Sequence, residues 1–177
     1  MIEKIREEIK LLGQHPELLF EKNFLLRKRL LESISIFESA NNSESQLTQE
    51  LSALKLKVTE RNESIVGYTL KKLRNSAEDP LKCKSILFQF LDREDNRFKE
   101  SNLDLLIDEM FKVDIDSVRR PKRNLDYIHL ERTPAIVVLE AIDHLGNMGE
   151  KILYDLGSGL GHVLFFFSLL TQCKVLV

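Results

Sequence analysis

Over the first 112 residues, apolar and polar positions recur with the period of a helix. Ile2, Ile5, Ile9 and Leu12 are spaced by three and four, which puts them on one helical face. Pro16 suits the first turn of a second helix, expected to carry Leu19, Phe20, Leu26, Leu30, Ile34 and Phe37. "ANNSESQ" then breaks the pattern, and Ser43 with Gln46 reads as a capping box opening a third helix. Leu47, Leu51, Leu54 and Val58 keep a 4-3-4 spacing there, a narrow seam of the coiled-coil kind. A further helix is expected over 65–73. Asp79 before Pro80 is an N-cap with proline at the first helical position, leading into Leu81, Ile86, Leu87, Phe90 and Leu91. After the polar stretch "REDNRFKES", Ser101 and Asp104 open a helix bearing Leu103, Leu106, Ile107, Met110 and Phe111. The first two-thirds therefore predicts five or six amphipathic helices. They read as a bundle packing its own core, or as a module that recognises a partner or substrate.

The pattern changes after "RRPKR" at 119–123, four cations around a proline, which reads as an exposed linker able to touch phosphate or acidic partners. Thr133 and Pro134 form another N-cap and proline pair before Ile136, Val137, Leu139, Ala141 and Ile142, a short apolar helix. "GNMGE" is a turn. "KILYDL" is a β-prone run without alternation, as expected of a central strand buried on both faces. A helix is predicted over 161–172, and "KVLV" begins a second strand. Strand, glycine turn, helix and strand make one βαβ unit of a parallel sheet.

Composition narrows the classes. The 177 residues are 43% hydrophobic and 31% charged, a globular balance, and the net charge of −2 gives no bulk attraction to nucleic acid or membrane. Cys83 and Cys173 form no Cys-x-x-Cys pair and read as reduced thiols of a cytoplasmic protein. "MIEKIREEIK" has no apolar core and is not a signal peptide. His15, His129, His144 and His162 lack metal-ligand spacing, so no metal site is expected. No repeat of fixed period is visible. Residues 156–173 carry no formal charge. They include three glycines, His162, Thr171 and Gln172 and fall short of a membrane span.

Four of the seven glycines lie within 149–161, and three of them stand at alternate positions in "DLGSGLG", 155–161. Glycine is needed where φ is positive or where another group approaches too closely for a Cβ. At the carboxyl end of a first parallel strand, such a turn lines the usual crevice for a nucleotide-like ligand. A P-loop would require a lysine that is absent. A dinucleotide fingerprint would put its third glycine at 162, which is His162. Asp155 ends the strand just before the first glycine and would oppose a pyrophosphate at the helix N-terminus. It suits a ligand with positive charge and no phosphate.

The segment resembles the first motif of class I S-adenosylmethionine-dependent methyltransferases, matched over Asp155, Gly157, Gly159 and Gly161. "YIHLERTPAIVVLEAID" resembles the family's N-terminal helix that lids the cofactor, with Tyr127 and Thr133 in the entry loop. "DLGSGLG" with an upstream threonine is similar to the non-SET histone lysine methyltransferases. The resemblance covers 127–177. It implies a Rossmann-like fold, S-adenosyl-L-methionine as cofactor, and Asp155, Gly157, Ser158, Gly159, Gly161, Tyr127 and Thr133 as cofactor-binding residues. The family's acidic residue at the end of the second strand, which holds the ribose, has no counterpart before Val177. The later strands and the acceptor-side loop are likewise missing.

The expected organisation is a mainly helical N-terminal domain over 1–118, a basic linker over 119–126, and over 127–177 the incomplete first βαβ unit of a Rossmann-like domain. The expected function is that of a methyltransferase whose acceptor (protein, RNA or small molecule) and catalytic residues are not given by the sequence. The chain reads as an N-terminal fragment that binds cofactor weakly or not at all by itself, with no turnover. Self-association through the exposed apolar surface of its truncated sheet is expected, and no membrane contact. The alternative is a helical protein–protein interaction module with a degenerate, non-catalytic methyltransferase remnant. Finally, Phe165, Phe166 and Phe167 are consecutive and sweep across more than one helical face, so they need a partner besides the strands, from the 133–145 helix or the N-terminal helices, and the helical region is expected to dock there and bury at least two of the three rings.

Overall fold

The computed structural model describes residues 2–40, 46–91, 100–112, 133–146, 148–157 and 159–176. They form helices α1 (Ile2–Gly13), α2 (Phe24–Ala40), α3 (Gln46–Asn75), α4 (Pro80–Phe88), α5 (Asn102–Phe111) and α6 (Ala135–Leu145). Strand β1 (Ile152–Tyr154), helix α7 (His162–Thr171) and strand β2 (Lys174–Leu176) follow. The chain divides into two compact units, Met1–Tyr68 and Thr69–Val177, and the division falls inside α3. The Ser43 cap, residues 93–99 of the polar break, the basic stretch at 119–123 and Tyr127 lie outside the described residues.

In the first unit, Ile9, Leu18, Leu30, Ile34, Phe37, Leu51 and Val58 form one buried cluster, flanked by Ile5, Leu12 and Leu54. The second helix begins at Phe24 rather than in the turn after Pro16. The cause is Arg27, which is fully buried. Its Nη1 donates to the carbonyls of Leu18 at 3.0 Å and Phe20 at 2.6 Å, and its Nη2 to Glu21 at 3.3 Å. The turn is further held by Asn23 Nδ2, which donates to the Glu17 carbonyl at 2.9 Å. Carbonyls that would have accepted helical amides are taken by a guanidinium, and its cation also sits 4.5 Å from the Phe24 ring.

Expected as two helices, α3 is one of 30 residues. Its inward stripe runs through Leu51, Val58, Asn62, Ile65, Thr69 and Leu73, all buried. Asn62 and Thr69 are polar, so the apolar periodicity is interrupted although the helix is not. Asn62 Oδ1 accepts from Arg27 Nε at 2.5 Å.

In the second unit, α4 opens as expected, with Asp79 accepting from the Lys82 amide and Pro80 in the first turn. Its buried face carries Cys83 and Leu87, whereas Leu81, expected inward, is 79% exposed. The Ser101–Asp104 capping box opens α5. Helices α4 and α6 both pack against α7, and β1 pairs with β2 in parallel, Ile152 opposite Lys174 through Tyr154 opposite Leu176. Phe166 and Phe167 are buried, and Phe165 meets the Phe111 ring edge-on at 5.5 Å, so helices outside the sheet cover this segment as expected. The strand departs from expectation. Ile152 and Tyr154 share a face of β1 and are 48% and 65% exposed, while Leu153 opposite is half-buried. Among the described residues, only one face of the two-stranded sheet is layered, so β1 is not buried on both sides. No described helix is long and apolar enough to cross a membrane.

Candidate functional site

The glycine turn connects β1 to α7. Asp155 extends the ladder, its amide donating to the Leu176 carbonyl at 3.0 Å, so the carboxylate stands at the carboxyl end of β1. Asp155 Oδ1 accepts from the Gly157 amide at 3.2 Å, a tight Asx-type turn that bends the chain out of the strand. Asp155 Oδ2 is shielded from solvent and has no hydrogen-bond donor among the described residues.

The glycines serve different ends. Gly159 and Gly161 have φ of 50° and 79°, a conformation in which a Cβ is strained by about 1–2 kcal/mol. Gly161 caps α7, and its carbonyl receives the Phe165 amide at 2.9 Å. Gly157 is exposed and not among the positive-φ residues, and open space lies where its Cβ would stand. The fold itself does not require glycine there. Leu156 beside it is 99% exposed.

Ser158 and Tyr127 lie outside the described residues. Thr133 is exposed and does not cap α6 as the sequence suggests. The helix starts at Ala135, and its first amide donates to Asp104 Oδ1 of α5 at 2.8 Å. The other oxygen of Asp104 accepts from the Ser101 amide at 2.9 Å and the Ser101 hydroxyl at 2.8 Å. A buried carboxylate thus closes two helix N-termini, its own and that of α6. Thr133 is displaced because an anion at a helix start is a stronger acceptor than a hydroxyl.

His162 follows the turn and is the first residue of α7. Its ring is buried, with Nε2 3.6 Å from Asp108 Oδ1, also buried. Phe111 lies against the imidazole with ring centres 5.5 Å apart and planes tilted by 52°. Asp104, Asp108 and His162 are absent from the sequence-based site. The available signal was two aspartates four residues apart inside the apolar run of α5, which places both on its buried face. Among the described residues, no three His, Cys, Asp or Glu side chains converge as metal ligands. No family model matches the chain, and neither does any curated protein or solved structure.

Proposed function

We propose that β1, the glycine turn and α7 are the cofactor-binding start of a Rossmann-like, S-adenosyl-L-methionine-dependent methyltransferase acting in the cytoplasm on a protein, RNA or small-molecule acceptor. The observation that carries this reading is the Asp155 carboxylate. One oxygen shapes the turn, and the other is turned away from water without a donor among the described residues. Leaving a buried anionic oxygen unsatisfied costs about 1–3 kcal/mol or more. A cationic, phosphate-free ligand end, such as the ammonium of an amino-acid moiety, relieves that cost and meets no repulsion from the carboxylate. Gly157 supports the same reading, since the open space above it admits close approach to the backbone. When bound, the cofactor supplies an electrophilic methyl group on a sulfonium. The chain's part is to hold the amino-acid end through Asp155 and the turn amides.

The test is calorimetric titration of S-adenosylmethionine into the intact protein and its Gly157→Ala variant. Because neither φ nor packing demands glycine at 157, the variant should keep its helical circular dichroism and urea midpoint. Its affinity should fall at least about tenfold, or ~1.4 kcal/mol. Undiminished binding in Gly157→Ala overturns the reading, as does absence of binding by a chain that continues through a complete Rossmann-like domain.

A further inference from the structure

We propose that α5 is a working part of the glycine-turn site: through Asp104 and Asp108, one helical turn apart on its buried face, it positions the first residues of α6 and α7, and the Asp108–His162 pair sets the turn itself. Helix α5 lies outside the stretch that resembles a methyltransferase. Its buried residues run from Asn102 to Asp108 without interruption. Two carboxylates in such a helix are costly unless each meets a donor or a cation. Asp104 is accounted for by Ser101 and the Ala135 amide. Asp108 lies four residues on, hence on the same face, and directs its carboxylate toward the imidazole of His162.

The position of His162 gives the contact its meaning. It directly follows Gly161, whose φ of 79° leaves the chain without the restraint a side chain would impose. A turn with glycine at alternate positions has many conformations to lose on binding, and a site preset by rigid elements loses less. Here the restraint comes from the far side. The imidazole Nε2 faces the Asp108 carboxylate at 3.6 Å, and Phe111, three residues further along α5, packs against the ring. Phe111 in turn meets Phe165 of α7 edge-on. One helix thus holds the residue that ends the turn through a carboxylate facing its imidazole and a ring packed on it, and through Phe165 it also holds the first turn of α7. Asp108 and His162 are positioning residues: they act on the turn amides, not on a reacting atom. The identity of the ligand rests on the methyltransferase reading, whereas the fixing of the turn does not.

Two measurements separate these. The first is ¹⁵N relaxation of the Gly157, Gly159 and Gly161 amides in the intact protein, His162→Gln, Asp108→Leu and the double variant. Order parameters near the rigid value of about 0.85 should fall toward 0.6 or below in each single variant, and no further in the double. Asp108→Asn keeps an acceptor oxygen for the imidazole and should restore rigidity. Asp104→Asn should loosen the start of α6 and leave the turn unchanged. The second is S-adenosylmethionine titration, in which His162→Gln and Asp108→Leu should each weaken binding by about tenfold without adding in the double variant. Turn amides that stay rigid in folded His162→Gln overturn the proposal, as do strictly additive effects. If Asp108→Leu does not fold, His162→Gln and Asp108→Asn decide the matter on the same terms. If a chain that continues through a complete Rossmann-like domain binds no S-adenosylmethionine while the turn loosens as described, the methyltransferase reading fails and the positioning role stands.

Discussion

The two compact units solve the same problem with opposite charges. Each contains a stretch where the helical ladder is broken and backbone groups are left over. In Met1–Tyr68 the surplus is carbonyl oxygen, at Leu18 and Glu21, and a buried cation, Arg27, collects it while sharing the Phe20 carbonyl with the Asn23 amide. In Thr69–Val177 the surplus is amide hydrogen, at Ser101 and Ala135, and a buried anion, Asp104, collects it. In both, a charged residue is buried because irregular backbone must be satisfied where water does not reach. The core leucines around them set the compactness of each unit. The charges set where its helices begin.

The contrast is broken most severely by removing the cation. Arg27→Ala strips donors from three carbonyls and from Asn62 at a fully buried position, and should destabilise the first unit by about 3–5 kcal/mol in urea denaturation. Arg27→Lys cannot span the same acceptors and should recover only part of that loss. Equal stability of Arg27→Ala and the unaltered protein would refute the assigned role. Next comes the anion. Asp104→Ala removes two helix caps at once and should cost about 2–4 kcal/mol, at roughly 1–2 per cap. Ser101→Ala removes only one capping side chain, so a loss as large as that of Asp104→Ala would contradict the double duty assigned to the carboxylate.

The smallest effect sharpens the comparison through pH. The Lys82 backbone amide, then the Lys82 side chain, holds the Asp79 carboxyl below its ordinary value. The contribution of Asp79 is therefore present above the unfolded-chain pKa and is lost as pH falls through the lower folded value. Burial, then the charge of Asp79, pushes the Cys83 thiol up. That favours the protonated thiol in the folded state, so its contribution is present below the ordinary cysteine value and is lost as pH rises from there through the higher folded value. Native Cys83 should thus resist alkylation at pH 8 and react only on unfolding. Asp79→Asn should flatten the acid limb of the stability profile and, by removing the weaker of the two causes that raise the Cys83 thiol, lessen the alkaline loss slightly. Rapid labelling of the native thiol would contradict the first expectation, and an unchanged acid limb the second.

Elements whose signals are local were legible in the sequence. The spacing of Ile5, Ile9 and Leu12, the Asp79–Pro80 start of α4, the Ser101–Asp104 capping box and the strand–turn–helix–strand order at the end all stand in the fold. So do Asp155 at the strand end and the turn glycines after it. What was missed depends on partners distant in sequence. Proline at 16 is a fair helix starter until Arg27 claims the neighbouring carbonyls. A polar residue at 62 or 69 looks like a gap until the buried face of α3 is seen around it. Thr133 is a better N-cap than Pro134 by residue type, and nothing nearby reveals that an aspartate 31 positions earlier than Ala135 does the capping. The pairing of Asp108 with His162 escaped notice for the same reason, the two being separated by an entire helix and strand.

The 31-residue separation between Asp104 and Ala135 also bears on the order of assembly. The bonds between Asp104 and Ser101 span three residues and are within reach as soon as the first turn of α5 forms. The bond to Ala135 requires a loop of that length to close, an entropic cost of about 3 kcal/mol from the logarithmic dependence on length. One carboxylate therefore takes part in a contact that forms quickly and locally and in another that waits for the chain to return. The capping box holds the side chain in its final rotamer beforehand, so the late contact meets an acceptor already in place. Asp104 is in this sense a hinge in time: the residue at which a locally determined helix becomes part of a fold determined at long range.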